Sequence, residues 1–438
     1  MTAWDNPYVP HSPEDVEEML AAVGVGSVDE LFDVPREHEF DGRVAGEPMS
    51  EAEAVEHVGD VLGKNDDVVE FLGSGHYSHY VPAFVDDLAG RSEFLTSYTQ
   101  YQPEVSQGSL QALFEYQSML VELTGLEVAN ASVYDAASAL GEAALLAARV
   151  ADGDRVLVPE SLYPGRLSVL ENYCVGAGLS VETYPMDDGN VDVEGLAGVV
   201  DEDVVFVYVE SPNSHGALEE RLPEVGEVAR DVGALFCVGS DPVALSVLEA
   251  PGDYGADVVV GDASALGAGT AYGMGCGLFA VSEDHLRQTP GHLVGASEDA
   301  DGRRAYTLTL QTREQHIRRE RATSNICTNQ AWMALRTAMH VAWLGPDGLL
   351  DLAERCVELP RRTAEEFDDV DGVSAPAFDR HHFREFEAEV DGASGVRDAL
   401  LERGYAVGVA DGRLRVCVTE TVEHDVVGLV GALEEVVG

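Results

Sequence analysis

Two histidines, His76 and His79, lie three residues apart in the segment FLGSGHYSHYVP (residues 71–82). Imidazole nitrogens are common metal ligands, so a histidine pair at this spacing could bind a metal ion. No third ligand follows at a spacing that would complete a zinc site. We therefore expect both histidines to lie in a loop or at an interface, and we predict no metal site.

A second polar segment, SYTQYQPEVSQGS (residues 97–109), is dense in tyrosine, glutamine and hydroxyl side chains directly before a predicted helix. This composition is unusual for a protein core. Two interpretations are open for it. The segment is either a loop that satisfies its own backbone, with Tyr98 and Tyr101 half buried, or a surface that contacts another subunit.

A third polar segment, TSNICTNQ (residues 323–330), places hydroxyl and amide side chains at the entrance of another predicted helix. Capping of that helix is the simplest interpretation, and positioning the loops of a partner subunit is the alternative. Cys327 has no histidine partner that the sequence identifies, so we do not predict a nucleophilic thiol. The polar side chains concerned are Thr323, Ser324, Asn325, Thr328 and Asn329.

The elements that must position these segments change character along the chain. Three helix-start signals, SPED, SVDE and SEAE, mark the beginning of the sequence, and two long helical stretches lie between residues 108 and 147. From residue 155, short apolar strands alternate with helices, which is typical of a mostly parallel sheet covered on both faces. We predict a helical extension over 1–68, a large α/β domain over 69–330 and a small α+β domain over 331–438.

The composition is strongly acidic, with 80 Asp and Glu residues against 26 Lys and Arg residues and a formal net charge of −54. Such a surface repels nucleic acid and anionic membranes, so we predict neither as a partner. Near 1 M salt the Debye length falls to about 3 Å and screens this repulsion, which favours the cytoplasm of a halophile. The six cysteines form no CxxC pair, and the sequence begins without a signal-peptide pattern.

Three segments resemble one protein family: the histidine segment FLGSGHYSHYVP, the stretch from SEFLTSYTQ to GEAALLA (residues 92–147), and REQHIRRERATSNICTNQ (residues 313–330). They are similar to the P protein of the glycine cleavage system, a pyridoxal-phosphate glycine decarboxylase, and especially to the N-terminal subunit of its two-chain form. The resemblance implies fold type I, an aspartate-aminotransferase-like α/β architecture, which agrees with the alternation of strands and helices. It also implies a companion subunit that carries the cofactor lysine.

The lysine that would hold pyridoxal phosphate in this fold is missing from the chain. An imine with the cofactor aldehyde needs a side-chain amine, and the expected place after the strand ADVVVG reads Ser264–Leu266, SAL. Lys64 is the one lysine in the sequence, and it lies in VLGKNDD at the polar end of a predicted helix. We expect Lys64 to be solvated and remote from any cofactor chemistry.

We also expect two further parts of a cofactor site to be absent, the aspartate that pairs with the pyridinium nitrogen and the helix start that binds the phosphate. Related enzymes pair the pyridinium nitrogen with a strand-end aspartate, but we expect the strand in ALFCVGSDP to end at Val238 and Asp241 to be a turn residue. A phosphate would bind at the helix start in NASVYDAASALGE, where Asp135 is a better helix cap than an anion ligand. Arg415 lies where related folds often bind a carboxylate, but we expect an ordinary strand arginine.

The resemblance implies a shared function. Pyridoxal phosphate would be bound by the partner subunit, glycine would lose carbon dioxide there, and the aminomethyl group would pass to the lipoyl arm of H protein. We expect a heterodimer, doubled into an α2β2 heterotetramer, and no cofactor bound covalently by this chain. The resemblance favours an interface that reaches the partner's active site, formed by Tyr98, Gln102, Glu104, Gln107, Thr323 and Asn325.

Two alternatives remain at this point. The chain could be a scaffold subunit that contributes no residue to the chemistry. It could instead be a self-sufficient fold-type I aminotransferase or desulfurase that uses Cys276 or Cys327, in which case the purified chain would absorb visible light through its bound cofactor.

Overall fold

The computed structural model describes residues 11–32, 48–95, 101–131, 133–268, 274–309, 322, 324 and 330–438. It divides into two compact units, Met1–Asp66 and Asp67–Gly438. The boundary predicted after residue 330 falls inside the second unit and stays a prediction.

Helices account for most of the regular structure, and their bounds define the labels used below. They are α1 (Pro13–Val23), α2 (Glu51–Leu62), α3 (Ala83–Ala89), α4 (Ser92–Leu95), α5 (Gln107–Thr124), α6 (Ala136–Val150), α7 (Pro164–Ala177), α8 (Val193–Val199), α9 (Leu222–Val232), α10 (Pro242–Leu245), α11 (Ala331–Asp368), α12 (Ala393–Leu401) and α13 (Val426–Val437).

The strands are short. They are β1 (Val69–Phe71), β2 (Val128–Ala129), β3 (Arg155–Pro159), β4 (Ser180–Tyr184), β5 (Met186–Asp187), β6 (Asn190–Val191), β7 (Val204–Glu210), β8 (Leu235–Ser240), β9 (Val258–Asp262), β10 (Gly277–Val281), β11 (Val294–Glu298), β12 (Arg304–Leu308), β13 (Val373–Ser374), β14 (Glu385–Val390), β15 (Tyr405–Ala410) and β16 (Arg413–Cys417).

The N-terminal unit contains two capped helices among its described residues. Ser12 and Asp15 form a capping box at α1, and Ser50 and Glu53 form another at α2, as the SPED and SEAE signals predict. The SVDE signal is different, because it leads to a single 3₁₀ turn at Asp29–Leu31. Two of the three predicted helix starts are therefore α-helix starts, and the third begins a 3₁₀ turn.

A seven-stranded sheet forms the centre of the second unit, in the order β2-β10-β9-β8-β7-β3-β4. The five strands from β9 to β4 run parallel, and β10 is antiparallel to both of its neighbours. Every residue of β7, VVFVYVE, is buried, because helices cover both faces of the sheet. The mostly parallel α/β sheet predicted from the alternation of strands and helices is present.

A second, five-stranded sheet lies in the C-terminal region, in the order β1-β15-β16-β14-β13. Its edge strand β1 comes from far upstream and pairs in parallel with β15. The predicted start of the large domain thus contributes a strand to the C-terminal sheet. The long helix α11, predicted near NQAWMALRTAMHVAWLG, leads into this region and is kinked at Gly345.

A two-stranded antiparallel hairpin, β11 and β12, follows the large sheet in the sequence and was not predicted. It packs against α5 and ends directly before residues 310–321, which lie outside the described part of the chain. Across the described residues, no helix is both long and apolar enough to cross a membrane.

Candidate functional site

Three acidic side chains lie where neighbouring parallel strands of the large sheet end. Glu210 is the last residue of β7, Asp241 directly follows β8, and Asp262 is the last residue of β9. The carboxyl ends of parallel strands are where ligands bind in open α/β sheets. With Arg166 of α7, these residues line a small cavity of about 60 Å³, here called the inner cavity.

Asp241 directly follows its strand, because β8 extends to Ser240 and not only to Val238 as predicted. Its Oδ1 accepts hydrogen bonds from the backbone N–H groups of Val243 (3.0 Å) and Ala244 (3.3 Å), so Asp241 caps the short helix α10. Asp241 is therefore a helix cap, where the sequence predicted a turn residue before Pro242.

The same carboxylate accepts two hydrogen bonds of 2.9 Å from the guanidinium of Arg384, which the sequence did not indicate. Burial alone would raise the pKa of Asp241, but Arg384 and the two backbone N–H groups hold that pKa below its usual value. Arg384 is fully buried, so this pair is a closed internal contact and not a free aspartate.

The end of β9 offers a carboxylate and no amine. Asp262 Oδ1 accepts hydrogen bonds from the backbone N–H and hydroxyl of Ser264 and from the N–H of Cys276. Burial raises the pKa of Asp262 above its usual value. Leu266 is fully buried in an apolar cluster. Lys64 belongs to the N-terminal unit, where it is exposed directly after α2.

The side chain of Asp135 caps the N-terminus of α6. Asp135 Oδ1 accepts a hydrogen bond of 2.7 Å from the backbone N–H of Ser138, as predicted. Its carboxylate stands beside the helix N-terminus and would repel a phosphate approaching the same N–H groups.

These residues do not fit pyridoxal phosphate. An imine needs a lysine at the end of β9, the ring nitrogen needs an aspartate that Arg384 does not occupy, and the phosphate needs an uncapped helix start. An ion pair between Arg166 and Glu210 crosses the inner cavity, and Tyr208 adds a hydrogen bond of 2.8 Å to Glu210. The inner cavity, at about 60 Å³, is too small to hold the cofactor by itself.

The histidine segment binds the C-terminal region through a buried network. His79 Nε2 lies 3.0 Å from Arg384 Nε, and since a guanidinium only donates, Nε2 must accept. Its Nδ1 therefore carries the proton and donates to Glu420 at 2.8 Å. Burial lowers the pKa of His79, so the ring is neutral. Both ring nitrogens of His79 are occupied, so it forms no open pair with His76.

The predicted interface residues fall into two groups. Gln102 and Glu104 are exposed on the surface next to α5, whereas Gln107 is partly buried. Tyr98, Thr323 and Asn325 lie outside the described residues, as do Cys327, Thr328 and Asn329.

Gln107 joins the polar segment to the hairpin. Its Oε1 accepts the backbone N–H of Tyr306 at 2.9 Å, while its Nε2 donates to the carbonyls of Tyr306 (2.9 Å) and Pro103 (2.7 Å). Gln117, ten residues further along α5, makes the equivalent pair of bonds to Val294, at 2.8 and 3.1 Å. The two carboxamides hold both strands of the hairpin against α5.

Glu142 is a buried residue that sequence reasoning missed, within the alanine-rich helix α6. Its Oε1 accepts a hydrogen bond of 2.9 Å from the hydroxyl of Ser324. Burial raises the pKa of Glu142 to about 7, although the bond from Ser324 opposes this. The sequence does contain a signal for it, because a single glutamate among the alanines and leucines of ALGEAALLA indicates a charged side chain on a buried helix. Glu142 anchors one residue of the TSNICTNQ segment.

Arg415 is not the ordinary strand arginine that the sequence predicted. It is buried, donates to Glu387 Oε1 at 2.9 Å and to the Ser74 hydroxyl at 3.3 Å, and Glu387 also bonds His215 Nδ1 at 3.1 Å. Arg415 and His215 line a larger space of about 650 Å³, here called the outer cavity, which adjoins the inner cavity.

Comparison with known proteins places this geometry in a family. The family model described as "Glycine cleavage system P-protein" matches residues 6–432. The chain is 59% identical over 436 residues to a Halobacterium salinarum protein named "Probable glycine dehydrogenase (decarboxylating) subunit 1", covering 98% of this chain and 99% of that protein. A Pyrococcus abyssi protein of the same name is 45% identical over 454 residues, with 98% and 99% coverage.

Solved structures agree on the fold. A structure described as glycine decarboxylase (P-protein) of the glycine cleavage system, in inhibitor-bound form, matches with a TM-score of 0.88 and 41% identity, covering 98% of this chain and 100% of that one. A cysteine desulfurase from Thermococcus onnurineus matches with a TM-score of 0.62 at 19% identity, covering 84% and 94%, and so shares the fold alone. The predicted fold-type I architecture is confirmed.

Proposed function

This chain belongs to the glycine cleavage system P-protein family, and on that premise we propose that it is the subunit without the cofactor lysine in a two-subunit glycine decarboxylase. The family predicted from the three sequence segments is confirmed. Relatives that align over 98% of the chain are named as subunit 1 of glycine dehydrogenase (decarboxylating), which implies a second subunit.

One observation carries the division of labour that we propose. The last residue of β9 and the four residues after it are Asp262, Ala263, Ser264, Ala265 and Leu266, and none of them has a side-chain amine. We therefore propose that pyridoxal phosphate is held by a lysine-bearing partner subunit, where it acts as the electron sink for decarboxylation. A lipoylated carrier, the H protein, would accept the aminomethyl group.

We propose that this chain completes the partner's site through the surface beside α5. Gln102 and Glu104 are exposed there, and the bonds of Gln107 to Pro103 and Tyr306 hold that surface in place. Tyr98, Thr323 and Asn325 stay candidates for the same role. The chain would exclude water and orient the partner's loops, and two heterodimers would form an α2β2 assembly. A cytoplasm rich in salt suits its formal charge of −54.

Co-purification with a lysine-bearing partner in concentrated KCl tests the proposal. The complex should release labelled carbon dioxide from carboxyl-labelled glycine when a lipoylated carrier is present. The chain alone, incubated with pyridoxal phosphate, should neither release carbon dioxide nor gain visible absorbance. Turnover by the isolated chain, or stable yellow colour, would show that it works without a partner.

Alanine substitution separates a shared site from a scaffold. Gln102→Ala and Glu104→Ala remove exposed side chains and should lower turnover while the complex still assembles. Gln111→Ala is the matched control, because Gln111 is also exposed and bonds only Glu115 within α5 among the described contacts. Unchanged turnover in both test variants would favour the scaffold.

A further inference from the structure

The start of the C-terminal sheet is joined to the large sheet by backbone hydrogen bonds. The N–H of Phe383 donates to the carbonyl of Gly216 at 2.8 Å, and the N–H of Leu218 donates to the carbonyl of His381 at 2.8 Å. Gly216 and Leu218 lie in the loop after β7, whereas His381 and Phe383 lead into β14. This pair of bonds is here called the junction, and its two N–H groups report whether the sheets are held together.

Arg384, which directly follows the junction, is fully buried and uses all three of its guanidinium nitrogens. Nη1 and Nη2 each donate to the Asp241 carboxylate at 2.9 Å, and Nε donates to His79 Nε2 at 3.0 Å. The ring centre of Tyr77 lies 4.4 Å from Arg384 Cζ. Arg384 also has a φ of 62°, a left-handed conformation that is strained for a residue other than glycine. The surrounding contacts therefore hold this side chain in one orientation.

Two buried glutamates of β14 add connections of the same kind. Glu385 and Glu387 are both fully buried. Glu385 accepts the backbone N–H of Ser74 at 2.9 Å, and Glu387 bonds His215 Nδ1 at 3.1 Å. Charged side chains are rarely buried without a partner, so these bonds fix the start of β14 to two elements outside the C-terminal sheet.

Asp241 is a buried carboxylate whose charge is balanced from the C-terminal sheet. It directly follows β8, where the family resemblance places the aspartate that would pair with the pyridinium nitrogen of a cofactor. Here the same carboxylate meets the guanidinium of Arg384, which directly precedes β14. Apolar side chains of similar volume would pack there without the cost of removing two charges from water. The ion pair therefore favours a role in fixing one arrangement of the two sheets over a role in stability alone.

From these contacts we propose that Arg384 is an internal ligand of Asp241. It supplies from within the chain the positive charge that a bound group would otherwise bring, and it holds the C-terminal sheet closed on the large sheet when no ligand is bound. The disagreement between this site and pyridoxal phosphate then has a physical reason, because the strand-end aspartate is already occupied. The inference goes beyond the proposed function, since it concerns the chain by itself and needs no partner subunit.

Rescue by free guanidinium tests the internal ligand on the full chain in 2 M KCl. Arg384→Ala leaves a space beside Asp241, so peptides that contain the N–H groups of Leu218 and Phe383 should exchange hydrogen about tenfold faster or more. Guanidinium at 50 mM should return both rates to within about threefold of wild type, because it restores the paired charge. Urea at 50 mM is the control, since it is planar and similar in size but uncharged. Unchanged exchange in Arg384→Ala, or no difference between guanidinium and urea, would overturn the proposal.

A second variant keeps the test decisive if Arg384→Ala does not fold. Asp241→Asn preserves the size of the side chain and removes its charge, so exchange at the junction should rise about tenfold and should not respond to guanidinium, whose place Arg384 still fills. Arg361→Ala, in an exposed pair with Glu365, is the matched control and should change neither result. Wild type with 1 mM pyridoxal phosphate should exchange at the junction within about twofold of wild type alone. Unchanged exchange in Asp241→Asn, or severalfold slowing of wild-type exchange by pyridoxal phosphate, would refute the internal ligand.

Discussion

Replacing Gln107 by alanine should loosen the hairpin from α5. The change removes three hydrogen bonds, two to the backbone of Tyr306 and one to Pro103. Only the two bonds to Tyr306 join α5 to the hairpin, so at about 0.5–1 kcal/mol net for each of them the local opening free energy should fall by about 1–2 kcal/mol. The backbone amide of Tyr306 should then exchange its hydrogen about five- to thirtyfold faster, since each 1.4 kcal/mol is about tenfold.

Hydrogen exchange followed by mass spectrometry measures this directly over the hairpin peptides. Gln111→Ala is the control, because it lies one turn further along α5 and bonds only the exposed Glu115 among the described contacts. Exchange at Tyr306 should be unchanged in that variant. If Gln107→Ala left exchange at Tyr306 within twofold of wild type, the side chain would not hold the hairpin, and its positioning role would be refuted.

Three further predictions concern stability. Arg384→Ala should lower the free energy of unfolding by about 3–5 kcal/mol because it leaves a buried carboxylate unpaired, whereas Arg361→Ala, in an exposed pair, should change it little in denaturant titrations. In the folded protein the pKa of Glu142 is raised from 4.5 to about 7, so the stability that its protonated form contributes is fully present below pH 4.5 and is lost as the pH rises through 7. At pH 8 Glu142→Gln should therefore raise the free energy of unfolding by about 3 kcal/mol. Equal free energies of unfolding of the two proteins at pH 8 would contradict this. Gly216→Ala should lower the melting temperature markedly, because its Cβ would lie 2.0 Å from the Glu385 carbonyl oxygen, whereas Gly176→Ala meets no atom within 4 Å and should not.

Local sequence patterns predicted the features that depend on neighbouring residues. The continuous apolar run VVFVYVE predicts a buried strand, and Asp135 before an alanine-rich stretch predicts a helix cap, because each signal acts within a few residues. The absence of a lysine after β9 was likewise evident from the sequence alone, because it concerns only the residues next to one strand.

Long-range pairings were beyond this kind of reasoning. Asp241 and Arg384 lie 143 residues apart, and nothing near either one marks the other as its partner. Gln107 reads as a polar interface residue, although its carboxamide bonds the backbone of Tyr306, 199 residues away. Side-chain bonds to a distant backbone leave no periodic trace, so the hairpin and its attachment to α5 became visible only in the structure.

The edge strand β1 makes the two sheets of the second unit inseparable in practice. β1 is drawn from upstream of the large sheet, yet its hydrogen-bonding neighbour is β15, more than 300 residues later. A polypeptide truncated after the large sheet would expose an orphan strand and a row of unpaired backbone groups, inviting aggregation. During synthesis β1 cannot pair until β15 has been translated, near the end of the chain. We therefore expect the backbone groups of β1 to stay unpaired, and open to aggregation, through most of translation.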